Sequence, residues 1–98
     1  MLFALICTAK PDHLQVRVDT RPAHIAYLEE INTKGTLKIA GPFLDADGKP
    51  CGSMLVVEAA DAEAARAIGA GDPYAKAGLF ATVDVRQWNW TFNKPEGL

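Results

Sequence analysis

Apolar and polar positions divide the chain into short blocks with two different periods. From Leu2 to Thr8 both alternating sets, Leu2/Ala4/Ile6 and Phe3/Leu5/Cys7, are apolar. Successive strand residues point to opposite faces, so this run predicts a first strand buried on both. Lys10 to Asp19 is polar and reads as a loop with at most one helical turn. From Arg21 to Lys34 the period changes, with Ile25, Leu28 and Ile31 at helical spacing. Pro22 has no N–H to donate and fits the first turn. That places Thr20 or Arg21 at the N-cap, Thr20 being the better cap chemically. Gly35 is placed to end this helix in the left-handed conformation.

Thr36 to Leu44 predicts a second strand, interrupted near Gly41-Pro42, and Asp45 to Gly52 a turn. Ser53 to Glu58 predicts a third strand, again apolar on both sets. Asp61 is placed to cap a second helix running to about Ala70, with Glu63 in its first turn. Ala65 and Ile68 share a stripe of that helix, and its small side chains suit close approach to a sheet. Asp72 and Pro73 are good N-cap and first-turn residues for a single helical turn that stops by Gly78. Leu79 to Val85 predicts a fourth strand, with Leu79, Ala81, Val83 and Val85 on one face. Large residues then move to even positions, Trp88, Trp90 and Phe92, which predicts a bulge or a further strand segment.

The order β-α-β-β-α-β predicts an α+β, ferredoxin-like fold: a four-stranded antiparallel sheet with two helices on one face. Two helices leave the other face open, yet the first and third strands are apolar on both. A soluble monomer rarely leaves such a patch uncovered. The pattern therefore predicts a homodimer joined through its sheet faces, with Trp88, Trp90 and Phe92 contributing.

Composition bounds the function more than it defines it. The 98 residues suit one domain, residues 1–98, with a C-terminal extension over about 88–98. Ten basic against twelve acidic residues give a net charge of −2, and no basic stripe points to nucleic acid. No apolar run approaches the roughly 20 residues of a membrane span. Met1 to Ala9 lacks a basic start and is cut off by Lys10-Pro11-Asp12, unlike a signal peptide. Cys7 and Cys51 form no C-x-x-C pair, and His13 and His24 are not at zinc spacing from them. The expectation is a reduced, cytoplasmic protein with no metal and no cofactor. Asp45-Ala46-Asp47-Gly48 opens like a calcium loop, but Pro50 and Val56 stand where that loop needs Gly and Glu. Gly69, Gly71 and Gly78 form no phosphate-binding fingerprint. Cys51 has no adjacent base to activate it.

Three residues could carry chemistry. His24 shares the stripe of Leu28 and Ile31 and so faces inward, where the positive helix start disfavours the imidazolium and a nearby carboxylate would oppose that effect. Alone, it reads as a structural histidine bonded to a backbone carbonyl. Asp72 alone reads as a cap, and Ser53 as a hydroxyl at a turn end. None is close to another in sequence.

Three ordered segments change this balance: Arg21-Pro22-Ala23-His24, Ala40-Gly41-Pro42, and Gly71-Asp72-Pro73-Tyr74 with Ala77-Gly78-Leu79. Together they resemble the YciI-like family, carrier of the YCII-related domain, over roughly Met1 to Phe92. The resemblance implies a ferredoxin-like chain that dimerises as an α/β barrel, with an active site around a histidine and an aspartate. Carried onto this chain those are His24 and Asp72, with Ser53 near the site. Arg21, beside the dyad in sequence, and Tyr74 are further substrate-binding candidates, although Arg21 reads first as a solvated arginine at a helix start. One relative is a dehydrochlorinase acting on a chlorinated hydroxyquinol. The expectation is a cofactor-independent enzyme in which His24 exchanges protons and Asp72 orients it, in an elimination, isomerisation or related lyase reaction. The alternative is a non-catalytic module of the same fold that binds a small molecule or regulates. A monooxygenase-like role needing haem or a quinol-type substrate ranks last, because no axial-ligand pattern beyond His24 is visible.

Overall fold

A computed structural model describes residues 1–96. Its elements are β1 (Leu2–Ala9), α1 (Leu14–Thr33), β2 (Leu37–Leu44), β3 (Pro50–Glu58), α2 (Ala62–Ala70), α3 (Pro73–Lys76) and β4 (Phe80–Trp88). The strands form one antiparallel sheet in the order β2-β3-β1-β4. This is the predicted ferredoxin-like α+β architecture, with α3 as an added turn. Of the predicted C-terminal extension, residues 97 and 98 lie outside the described residues.

Register decides what each face carries. Phe3 pairs with Val57, Leu5 with Leu55 and Cys7 with Ser53, so these six share one face. Val85 and Val83 of β4 join them opposite Leu5 and Cys7. The helices cover this face, and its core of Phe3, Leu5, Cys7, Leu55, Val57 and Ala65 is packed by Leu28, Ile68, Val83 and Val85. Leu5 and Leu55 are almost wholly buried, and burial of such a side chain stabilises by about 1.5–3 kcal/mol. Of the residues one step out of phase on the open face, Val56 is buried, while Ala4, Ile6 and Met54 are only half-buried. Ile39, Phe43 and Trp88 on the same face are 38–40% exposed.

The longest departure from the sequence pattern is in α1. It starts at Leu14, with Pro22 as its ninth residue, and Thr20 is not a cap. A proline inside a helix leaves the carbonyl four residues back without its donor. Here that is the carbonyl of Val18, and both Val18 and Pro22 are on the exposed side, where water can satisfy it. The turns before Pro22 are held by tertiary contacts: Arg17 is buried and its Nη2 donates to the Gly52 carbonyl at 3.1 Å. The helix end agrees with expectation. Gly35 has φ +77°, its N–H donates to Asn32 O at 3.0 Å, and that of Thr36 to Ile31 O at 2.9 Å. This is the paired closure that a left-handed glycine permits.

β2 runs unbroken through Gly41-Pro42, and its irregularities fall at Leu37/Ile39 and Phe43/Leu44 instead. β2 is an edge strand, so the missing N–H of Pro42 is tolerated. β3 starts at Pro50, three residues earlier than predicted, because the turn is tighter. The Asp45 carboxylate accepts from the N–H groups of Asp47 and Lys49 at 2.9 and 3.0 Å, closing the turn within five residues. β4 starts at Phe80, and its extra residue is Ala81, where the pairing with β1 shifts. No bulge marks the change of phase near Trp88. Trp88 lies on the open face opposite Leu2, and Trp90 and Phe92 follow the strand. The Trp88 and Trp90 rings pack 5.4 Å apart.

Asp61 caps α2 as expected, accepting from Ala64 N–H at 2.8 Å. Ala65 is fully buried, and the helix approaches so closely that a Cβ on Gly69 would stand 3.4 Å from Leu5.

Candidate active site

Between α1 and the β2–β3 edge lies a cavity of about 410 Å³. One wall is a helical stripe of Leu14, Arg17, Val18, Arg21, His24, Ile25 and Leu28; the other is Ala40, Pro42, Ser53 and Leu55, with Tyr74 at the inner end. Its walls are mostly apolar and its size is that of small-molecule sites. A larger hollow of about 860 Å³ lies by Met1, Glu58, Trp88 and Trp90. It contains no histidine and no buried carboxylate, and its Met1–Glu58 ion pair is half-exposed, so the smaller cavity is the chemical candidate.

His24 and Asp72, 48 residues apart in the chain, meet here: Nδ1 stands 2.8 Å from Asp72 Oδ1. A carboxylate only accepts, so Nδ1 is the donor in this bond. Asp72 is not in the cavity wall, while His24 is. Nε2 is therefore the ring nitrogen available to a molecule in the cavity. Asp72 is held by its own backbone role, since Oδ1 also accepts the Tyr74 N–H at 2.9 Å as the cap of α3. Its Oδ2 is buried and accepts from no described residue. Among the described residues, His24 is the one basic side chain within 4.0 Å of the Asp72 carboxylate. α1 begins ten residues before His24, so the ring stands mid-helix, and the helix-start effect expected to oppose its protonation does not reach it.

The rings are stacked in order. His24 lies on Tyr74 at 3.8 Å between centroids and 13° between planes. The Arg17 guanidinium carbon sits 4.8 Å from the centre of the same ring. Arg17 Nη2 also donates to Ser53 Oγ at 3.2 Å. The structure thus brings together His24, Asp72, Ser53 and Tyr74, and puts Arg21 on the cavity wall but exposed.

Arg17 is the residue that sequence reasoning missed. Its signal was present: Arg17, Arg21 and His24 stand at i, i+4 and i+7, one face of a helix. Reading Pro22 as a helix start hid it.

Burial first, then the Asp72 charge, pushes the Cys7 thiol up to about 12, with Arg17 opposing. Cys7 is therefore an inert neutral thiol. Burial likewise raises the Tyr74 phenol, with Asp72 adding to it, against the lowering by the Arg17 and Arg21 charges and a hydrogen bond from Arg17, so it stays neutral. Tyr27, raised by burial and then by Asp72 and Glu30, donates to Ile68 O at 2.6 Å and ties α1 to α2.

The YCII-related domain profile matches residues 1–89. The chain belongs to the YCII-related family. It is 34% identical to Protein YciI of Escherichia coli O6:H1, over 94% of this chain and 100% of that protein. It is 35% identical to the derivative of benzaldehyde biosynthesis cluster protein C of Emericella nidulans, over 71% of this chain and 79% of that one. Among solved structures it is similar to the 5-chloro-2-hydroxyhydroquinone dehydrochlorinase TftG of Burkholderia phenoliruptrix AC1100, in complex with 2,5-dihydroxybenzoquinone. The TM-score is 0.81 at 38% identity, covering 91% of this chain and 94% of that one. An antibiotic biosynthesis monooxygenase shares the fold at 15% identity, with a TM-score of 0.50 over 91% of this chain and 99% of that one.

This YCII-related chain has no helix among its described residues long and apolar enough to cross a membrane. Those residues also place no three His, Cys, Asp or Glu side chains together in a metal-binding group.

Proposed function

We propose that this chain is a cofactor-independent enzyme of small-molecule elimination chemistry, with His24 as the proton carrier, Asp72 as its orienting counter-charge, and Ser53, Arg21 and Tyr74 contacting the substrate. The observation that carries this reading is the 2.8 Å His24–Asp72 contact, which commits Nδ1 and leaves Nε2 to the cavity. Similarity to a dehydrochlorinase supports the reaction class.

The chemistry suits one base with no redox group. His24 Nε2 takes a phenolic proton from a chlorinated hydroquinone, and a proton is returned to the ring carbon that bears chlorine. That gives the keto tautomer. Loss of a second phenolic proton then expels chloride with its bonding pair and leaves a quinone. The net change is loss of H⁺ and Cl⁻. Chloride departs with the electrons, so no external oxidant is required. A base placed in this way contributes typically 10²–10⁴-fold.

The test is incubation of the protein with 5-chloro-2-hydroxyhydroquinone under anaerobic conditions, following chloride release and quinone absorbance. Chloride release above the spontaneous rate is expected. Saturable binding with the compound recovered unchanged would replace this reading with that of a binding module.

The same reading includes a second copy. The half-exposed apolar face of Ala4, Ile6, Met54, Ile39, Phe43 and Trp88 meets its own counterpart in a homodimer. Sedimentation at micromolar concentration is expected to give twice the 10.5 kDa chain mass. A single-chain species would overturn it.

A further inference from the structure

We infer that Arg17 is a recognition site for an anionic oxygen, so that the substrate class of this cavity is a small, largely apolar molecule carrying one carboxylate or one ionised phenol or enol. The inference rests on the cavity being the substrate site, as proposed above, but not on His24 performing proton transfer.

Three observations carry it. First, Arg17 is 7% exposed, yet none of the ion pairs within 4.0 Å among the described residues includes it. A buried guanidinium remains charged at any accessible pH, and such groups are rarely buried without a partner. Second, its anchoring is built but incomplete. Nη2 spends its two N–H groups on Gly52 O and Ser53 Oγ. The three N–H donors on Nε and Nη1 meet no carboxylate among the described residues; besides Gly52 O and Ser53 Oγ, Arg17 also hydrogen-bonds the Tyr74 phenol, which acts to lower that group. Third, Arg17 is in the cavity wall, on the same helical stripe as His24 and against the same Tyr74 ring. An anion seated there would complete the fork, as guanidinium–carboxylate pairs do. It would also place the adjoining carbon framework among Leu14, Val18, Ile25, Leu28 and Leu55.

The arrangement has a chemical consequence. Charge that develops on a substrate oxygen when His24 takes its proton would fall beside a cation fixed by its bonds to Gly52 O and Ser53 Oγ. Preorganised charge of that kind favours the ionised state over the neutral one.

The test separates charge from shape. Benzoate and benzamide are nearly the same size and differ in charge, so their dissociation constants can be compared by calorimetry. Wild-type protein is expected to prefer benzoate by at least tenfold. Arg17→Gln is expected to bring the ratio near one, while Lys34→Gln, an exposed charge just past the end of α1 and outside the cavity, keeps the preference. His24→Ala is expected to keep it, which distinguishes this inference from the acid/base reading: activity can fail while the preference stands. Thermal unfolding checks that each variant folds. Should Arg17→Gln fail to fold, Arg17→Lys, which keeps the charge but not the planar fork, is expected to reduce the ratio and decides instead. Equal binding of the two probes, no saturable benzoate binding, a preference that survives undiminished in the Arg17 variant that folds, or one lost equally in Lys34→Gln would overturn it.

Discussion

Replacing His24 with alanine is expected to lower chloride release by about 10²–10⁴-fold while the chain stays folded, because the imidazole that lines the cavity is gone. Asp72→Asn is the sharper companion. Both bonds to Asp72, from His24 Nδ1 and from Tyr74 N–H, converge on Oδ1. Oδ2 accepts from no described residue. An asparagine can put its amide oxygen where Oδ1 stands and keep both bonds, the cap and the imidazole tautomer. What it removes is charge. Hydrogen bonds to charged groups are worth about 1.5–3 kcal/mol, so loss of the counter-charge to a forming imidazolium should cost roughly 10–10²-fold in rate. The displaced NH2 would be buried without an acceptor, which costs about 1–3 kcal/mol of stability. Steady-state chloride release, measured with thermal unfolding of each variant, separates the two effects. Full activity in either variant would remove the pair from the mechanism.

Much of this site was readable in the chain, and the part that was not has one cause. The strands announced themselves by their two apolar sets, and the caps Asp61 and Asp72 by residue type, because both signals are local. The helix boundary was misread because Pro22 is a strong local signal overruled by distant contacts. Arg17 holds the first turns of α1 to Gly52 and Ser53, 35 and 36 residues away. No window around Pro22 contains that information. The same limit hid the meeting of His24 with Asp72, which exists only once α3 docks against α1. Motif order suggested the pair, and the fold supplied the distance. The apparent break at Gly41-Pro42 failed for a related reason. Edge position, which excuses a proline from the ladder, is a property of the sheet and not of the segment.

Gly52→Ala is expected to be among the most damaging single methyl additions in this chain, and to damage stability and anion binding together. Gly52 is buried in β3, opposite Thr8 of β1 and Phe43 of β2. A Cβ there would stand 2.5 Å from the carbonyl oxygen of Cys7 and 3.3 Å from Phe43 Cδ2. The first contact is with backbone in the centre of the sheet, so no side-chain rotation relieves it. Relief requires β1 and β3 to separate around the Cys7–Ser53 pair. Overpacking of this kind typically costs 1–3 kcal/mol, occasionally more, and about 3 kcal/mol is expected here because a strand must move. For a chain of this size each kcal/mol lowers the melting temperature by about 4–8 °C, so a fall of roughly 12 °C or more should be measured. The displaced segment also carries both acceptors of Arg17, the Gly52 carbonyl and Ser53 Oγ. The benzoate preference should therefore weaken even at temperatures where the variant is folded. Gly41→Ala is the control. It lies on the neighbouring strand and lines the same cavity, but a Cβ there meets nothing within 4 Å. Its melting temperature is expected to stay close to wild type. Equal melting temperatures for the two variants would mean that β1 and β3 are not as closely apposed at Gly52 as this sheet requires.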